Sequence, residues 1–427
     1  MDFKVCVAAF IFLLSVCGGC SSSADSDKII RLDVGEALDN GVSVNLSKYA
    51  SAIDYIPLET VPQSMLRRSS RIFFDKGNFF IVSHTLAGAT DVPYFDQKGK
   101  YLGRIGKAGR GPGEYNQLWG FTVLDDMQTS QVCISSLRNG VVYDLSGQCT
   151  SEFSFEEVRK QKGLHASFGD YYFNYIGGGR YCLLANFYSD GEMDEYLFVL
   201  DNSGHIIRQI KVGQVLKRIK NIKGENRTSI SGSSFYFSSG HIFSSYDKIC
   251  LLGPARDTLY TVDLESGTKS AMVAFLMNGK PYGEVAAQNQ DFVLGQVLEC
   301  DKFIFHQIYF PTACFPDVYK RIRVVPHKAF AWLVYDKDEH TYTALKSNKV
   351  SGANSADEQQ MYDGFYNDLD GGMPFLPSYI KDGKMYQLVD ASVFIEMAGI
   401  CSSARMKEVA AQLTEESNPV VVVVTMK

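Results

Sequence analysis

The segment Gly106-Lys107-Ala108-Gly109-Arg110-Gly111-Pro112-Gly113-Glu114-Tyr115 carries the residue types of an anion cradle. Its glycines let backbone N–H groups converge on a ligand, and Lys107 and Arg110 add positive charge. The order is not the G-x-x-x-x-G-K-[ST] of a phosphate-binding loop, and no helical pattern follows it. The same glycines and the proline also suit a tight crossover from the outer strand of one sheet to the inner strand of the next. Trp119, just beyond, offers a ring platform for a sugar or peptide, or packs into a core. Asp368-Leu369-Asp370-Gly371-Gly372 sets two carboxylates beside a turn, which can hold calcium, although its register departs from the D-x-D-x-D-G ligand loop and Asp-Gly is common turn chemistry. Lys217, Arg218, Lys220, Lys223 and Arg227 form a basic stretch that reads as a solvated loop or an anionic-ligand site. The candidate binding residues are therefore Lys107, Arg110, Glu114, Trp119 and Asp370.

Reactive chemistry has a weaker signature. The histidines, His84, His165, His205, His241, His306, His327 and His340, show no H-x-H or H-E-x-x-H grouping, and no G-x-S-x-G nucleophile elbow is present. Paired carboxylates of a glycosidase must face each other across a defined gap, which linear spacing does not reveal. The sequence assigns no catalytic residue, no metal ligand and no cofactor.

The elements that would position these residues repeat. An apolar strand ending in Asp and a Gly turn recurs at 92–99 (V-P-Y-F-D-Q-K-G), 141–147 (V-V-Y-D-L-S-G), 197–204 (L-F-V-L-D-N-S-G) and 259–267 (L-Y-T-V-D-L-E-S-G). A fifth copy, L-V-Y-D-K-D-E-H at 333–340, lacks the Gly. Asp bonds its own backbone and Gly accepts positive φ, as a hairpin turn requires. A second hairpin precedes each copy, at 72–82, 121–134, 173–184, 243–252 and, less regularly, around 303–310; a sixth stands alone at 379–389. Two hairpins make a four-stranded blade, so the count predicts an all-β, six-bladed propeller whose missing outer pair comes from the chain ends. Ala52–Leu58 and Pro419–Val424 both read as strands that close the ring and remove its open edge. Met406, Val409, Ala410 and Leu413 predict one short amphipathic helix before the last strand, and 155–162 and 283–298 have room for a helical turn or two. The widening spacing from Asp96 to Asp336 places insertions in the later blades.

Composition fits a large folded core: 427 residues, 45% hydrophobic and 13% aromatic. A net charge of −6 removes the electrostatic reason to expect nucleic acid, since phosphate neutralisation needs a basic face. Lys4 precedes an uncharged run from Val5 to Val16, too short for a transmembrane helix and suited to a secretory h-region. Gly18-Gly19-Cys20 after it resembles a bacterial lipoprotein signal, in which Cys20 becomes the acylated first residue. The Cys17-x-x-Cys20 spacing falls inside that signal and is not read as a redox or zinc motif. Seven cysteines follow Cys20, an odd number, and most suit small buried apolar positions. The expected organisation is a signal at 1–19, a tether and N-terminal segment at 20–50, the propeller at 51–400 and helix plus closing strand at 401–427.

F-D-Q-K-G-K-Y-L-G-R-I-G-K-A-G-R-G-P-G-E-Y at 95–115, with Ile56-Pro57-Leu58-Glu59-Thr60 upstream, resembles the six-bladed β-propeller lipoproteins of Bacteroidetes. D-T-L-Y at 257–260, N-D-L-D-G-G-M-P-F-L-P at 367–377 and N-P-V-V-V-V-V-T-M-K at 418–427 extend that resemblance over nearly the whole mature chain. A more distant likeness is to NHL-repeat propellers. The resemblance implies export and the propeller fold, but no established activity. The expectation is a monomeric, membrane-anchored ligand-binding or interaction module of the cell envelope, at the outer membrane or periplasmic face, whose partner is a glycan, peptide or envelope protein and not nucleic acid. The alternative is an NHL-like hydrolase or lyase with its site at the central channel mouth, where such enzymes gather histidines from several blades; His84 and His241 would be its ligands here.

Overall fold

Val420–Val424, five valines in a row, are each at most 5% exposed, which a strand achieves only when both of its faces are covered. Val420, Val422 and Val424 pack toward one neighbouring sheet, and Val421 and Val423 toward another. This wedging repeats around six blades of four antiparallel strands, which form a six-bladed β-propeller. A computed structural model describes residues 29–66, 70–83, 91–161, 164–165, 173–189, 192–214, 217–219, 235–237, 241–245, 248–253, 257–281, 293–310, 329–346 and 363–427.

From inner to outer strand, blade one is Ser70–Asp75, Asn78–Ser83, Val92–Asp96 and Tyr101–Ile105, and blade two is Gly120–Leu124, Gln131–Ser135, Asn139–Asp144 and Cys149–Ser154. Blade three is Phe173–Tyr175, Tyr181–Ser189, Glu192–Leu200 and Ile206–Gln214. Blade four is His241–Ser245, Lys248–Leu252, Thr258–Val262 and Lys269–Met277, and blade five is Val293–Glu299, Phe303–Phe310, Ala329–Asp336 and Thr341–Ala344. Blade six takes Tyr379–Lys381 and Lys384–Val389 from one hairpin, then Val420–Met426 and Ala50–Pro57 from the two ends of the chain. The predicted closure is thus formed, with Tyr55 paired to Val422. The core is correspondingly divided into six wedges, one per blade junction, each drawing apolar side chains from both neighbours.

The recurring Asp is a turn acceptor in every copy. Asp96 accepts the amides of Lys98 and Lys100 at 2.8 and 2.9 Å, Asp144 those of Ser146 and Gln148, Asp201 those of Ser203 and His205, and Asp263 those of Glu265 and Ser266. The turn glycines have positive φ, and two also permit close approach: a Cβ on Gly99 would lie 2.2 Å from Pro57 O, and one on Gly204 2.2 Å from Ser154 O. The turn of one blade therefore seats against the outer strand of the blade before it. In blade five His340 takes the left-handed position at φ 55°, and its Nδ1 lies 3.0 Å from the Tyr335 hydroxyl.

Two expectations are corrected. Residues 30–50 are not a tether. Ile30–Asp33 pairs in parallel with the outer strand of blade four, helix α1 (Val34–Asp39) follows, and parallel bridges from Val42 to Leu345 and Asn45 to Tyr366 carry the segment across blade five to blade six. Asp33 anchors this strap, accepting the amides of Glu36, Asn278 and Gly279. At its far end Asp336 accepts from Lys48 at 2.7 Å and the Tyr49 hydroxyl at 2.9 Å. Burial disfavours the charged Asp336 carboxylate, but Lys48, the Glu339 amide and Tyr49 outweigh it and hold its pKa below the ordinary value. Helix α2 (Glu156–Arg159) supplies the turn expected near 155–162; of the stretch 283–298, Val293–Glu299 opens as a strand and 283–292 lies outside the described residues. Secondly, two helices, α3 (Ala391–Ile400) and α4 (Ala404–Ala410), precede the closing strand where one was expected. Among the described residues no helix is long and apolar enough to cross a membrane.

Candidate functional site

The glycine segment is the crossover from the outer strand of blade one to the inner strand of blade two, and it folds back on itself. The Gly109 N–H donates to Tyr115 O at 2.9 Å, Tyr115 N–H to Lys107 O at 3.1 Å and Glu114 N–H to Gly111 O at 3.1 Å. Tyr115 turns its ring into the wedge between the blades, 1% exposed and edge-on to Tyr143, whose hydroxyl donates to Gly113 O at 2.8 Å. Gly106 starts the segment at φ 104°, where a Cβ would stand 2.2 Å from the Tyr115 hydroxyl oxygen. Two buried tyrosines and the backbone thus fix the loop on the blade junction.

Two carboxylates complete the frame. Glu114 accepts from Lys107 Nζ at 2.7 Å and from the Gly111 amide at 2.8 Å, and these two donors hold its carboxyl below the usual range. Glu152 accepts from the Gly113 amide at 2.7 Å and from Asn139 Nδ2 at 2.8 Å, and the same Asn139 nitrogen reaches Glu114 O at 3.2 Å. The result walls a cavity of about 660 Å³ lined by Arg110, Glu114, Asn116, Arg138, Asn139 and Glu152, with Gly109, Gly111, Phe153 and Ser154 completing it. Arg110 and Arg138 are exposed, and neither guanidinium makes a hydrogen bond or ion pair among the described residues. Glu114 and Glu152 each already accept two hydrogen bonds, whereas the Arg110 and Arg138 forks keep their N–H donors for another partner.

Of the five residues singled out from sequence, Arg110 and Glu114 line the cavity, and Lys107 joins them through its ion pair with Glu114. Trp119 and Asp370 do not line the cavity. Trp119 donates its backbone N–H to Ser135 O at 2.8 Å and packs against the wedge between blades two and three, its indole nitrogen buried without a hydrogen-bond partner. Asp370 is a clip: Oδ1 accepts from Tyr55 at 3.0 Å, Asn367 at 2.8 Å and the Gly372 amide at 3.0 Å, and Oδ2 from Ser403 at 2.6 Å. Asp368 turns away to Ser47, so the two carboxylates diverge and no calcium loop is formed. Sequence reasoning missed Arg138, Asn139, Asn116 and Glu152. The signal available was hairpin phase: the turn between the second and third strands of a blade emerges on the same face as the crossover into that blade.

The cavity lies toward the outer half of blade two, since the inner strand Gly120–Leu124 contributes nothing to its lining. At the opposite face the inner hairpin turns are tied to one another. Lys381 pairs with Asp125 at 2.6 Å, Lys76 donates to Asp125 O at 3.1 Å, and Asp126 accepts from the Tyr175 hydroxyl and the Gly178 amide, both at 2.7 Å. Among the described residues no group of three His, Cys, Asp or Glu is placed to hold a metal ion. His84, His327 and Cys314 lie outside the described residues, as do the His241 side chain and Lys220, Lys223 and Arg227; Lys217–Ile219 forms a strand paired with Phe235–Phe237. His306 is a core residue: fully buried, 2.6 Å from the Tyr342 hydroxyl, with burial depressing its pKa to about 3. Cys133, Cys182 and Cys300 are buried thiols outside any disulfide.

A Bacteroides fragilis protein described as exported superposes with a TM-score of 0.55 at 15% identity, covering 94% of this chain and all of the other. A member of the DUF4221 family from Bacteroides vulgatus gives a TM-score of 0.41 at 13% identity, covering 88% of this chain and 97% of its own. At these identities the likeness concerns the fold alone. No curated protein matches the sequence. Residues 29–425, from the strap to the closing strand, match one family along their whole length, and the chain belongs to it: the domain of unknown function DUF4934.

Proposed function

We propose that this protein is an exported, lipid-anchored binding module of the cell envelope that holds its ligand in the cavity between blades one and two. The observation that carries the reading is the cavity's construction. Its walls are locked by main-chain bonds, two buried tyrosines and two satisfied carboxylates, while two arginines stay available. Such a site is formed before ligand arrives, so little ordering entropy is lost on binding.

The leader at 1–19 and Cys20 support the anchor, and the neighbour from Bacteroides fragilis described as exported supports export. The ten residues from Cys20 to Ile29 reach at most ~36 Å, so acylation would hold the strap at blade four close to the membrane.

A thermal-shift screen of residues 21–427 against glycans, peptides and divalent metals tests this. A ligand that binds only the folded state at a hundred times its Kd adds about 2.7 kcal/mol. A glycan or peptide shift lost in Arg138→Ala supports the reading; a shift with metal alone, abolished by chelator, contradicts it in favour of a metal-dependent enzyme. Mass spectrometry of the membrane fraction showing an N-terminus other than acylated Cys20 would remove the anchor.

A further inference from the structure

We infer that the cavity between blades one and two recognises a carboxylate-bearing oligosaccharide, with the acid group of a uronic-acid ring held between Arg110 and Arg138. This names the ligand class of the site proposed above and rests on that reading.

The charge arrangement decides the sign of the ligand. Each oxygen of Glu114 and Glu152 accepts a hydrogen bond, from Lys107, Asn139 and the amides of Gly111 and Gly113, and the three cations outnumber the two carboxylates. The two guanidiniums remain, each a planar fork of N–H donors that matches a carboxylate edge to edge. A ligand carboxylate supplies the third negative charge against three cations.

The backbone does not hold the anion. A phosphate cradle needs N–H groups pointing outward, as the sequence of this loop suggests. Here the amides of Gly109, Gly111 and Gly113 are already given to Tyr115 O, Glu114 and Glu152. Anion recognition therefore falls on side chains, and each guanidinium fork can pair bidentately with a planar carboxylate.

The remaining wall decides what carries that acid. Among the described residues Phe153 is the one apolar side chain lining the cavity, and it is only 4% exposed, so these residues offer no hole for a hydrophobic peptide side chain. Asn116 presents an exposed amide, both donor and acceptor, and the Ser154 hydroxyl accepts the Glu156 amide while keeping its own proton to donate. That pattern suits a ligand rich in hydroxyls. The volume of about 660 Å³ falls within the range of small-ligand sites and exceeds the needs of a single sugar ring.

Isothermal titration of residues 21–427 with short oligomers of galacturonate, glucuronate, mannuronate and guluronate tests the inference, with methyl-esterified oligogalacturonate, neutral oligosaccharides and tetraglutamate as comparisons. At least one oligouronate should bind, and Arg110→Ala and Arg138→Ala should each weaken it tenfold or more without moving the Tm. The esterified oligomer should lose at least tenfold where galacturonate binds, and affinity should fall as salt rises. Arg138→Lys should recover only part of the loss, because the fork is gone. Binding to none of the four, or binding indifferent to both arginines, overturns the inference. A neutral sugar or tetraglutamate bound instead, and weakened by Arg138→Ala or Asn116→Ala, overturns the acidic-sugar class and leaves the binding module standing. A ligand that no cavity substitution weakens overturns both.

Discussion

Leu38→Ala should lower the melting temperature of the whole ring, because the strap from Ile30 to Tyr49 is part of the core and not a leash. Leu38 is 3% exposed on α1, packed into the wedge between blades four and five with Val273, Phe275 and Leu333. Truncating a buried leucine costs about 2–5 kcal/mol, the transfer term plus the cavity left behind. With an unfolding entropy of about 2.1 cal/mol/K per residue over roughly 400 residues, that corresponds to a fall of about 2–6 °C. Val42, on the same strap, is 47% exposed, and Val42→Ala should stay within about 0.5 kcal/mol, under 1 °C. Differential scanning calorimetry of the two variants beside the parent protein measures both. Equal, negligible shifts would refute the reasoning, since a freely moving segment gives that result.

Three further outcomes follow from particular side chains. His306 is buried as the neutral imidazole, its pKa near 3 against an ordinary 6.5, so between those values the unfolded chain binds more protons and stability falls as pH drops. The loss should approach about 1.4 kcal/mol per pH unit, and His306→Phe should flatten that stretch of the stability curve measured by urea titration; an unchanged slope contradicts the assignment. Gly106→Ala places a Cβ 2.2 Å from the Tyr115 hydroxyl oxygen at positive φ, so it should destabilise by about 2 kcal/mol or more and shift the aromatic near-ultraviolet signal of the tyrosines. Deleting 419–427 removes five buried valines and opens blade six at both faces, and should yield aggregated or unfolded protein by size-exclusion chromatography; a monomer of unchanged stability would disprove closure by this strand.

What could be read from sequence was the local chemistry. Asp96, Asp144, Asp201, Asp263 and Asp336 each bond amides two to four residues downstream, and such a motif is visible wherever it recurs. What the same turns do to the neighbouring blade was not visible, because the contact of Gly99 with Pro57 joins distant parts of the chain. The strap escaped notice for a related reason. Leu32, Val34, Ala37 and Leu38 sit in a polar stretch, and the parallel pairing that orders them spans only four residues of blade four. Helix α3 is apolar on several sides, so it presents no clean 3.6-residue stripe and reads as part of the sheet. The site was half legible: Lys107, Arg110 and Glu114 belong to one conspicuous loop, whereas Arg138, Asn139 and Glu152 arrive from the next blade through strand register. Asp370 carried the right residue type, but its oxygens are consumed by Tyr55, Asn367, Gly372 and Ser403.

The most direct test of the central claim, that the functional surface is the cavity between blades one and two and not the channel mouth, is hydrogen exchange of residues 21–427 with and without the strongest-shifting glycan or peptide. The account predicts slower exchange upon binding in the segments 107–116, 136–139 and 152–155, with the turns at 75–78, 125–126 and 177–179 unchanged. Protection confined to those inner turns, with none at Arg110 or Arg138, would place the ligand on the axis and contradict it.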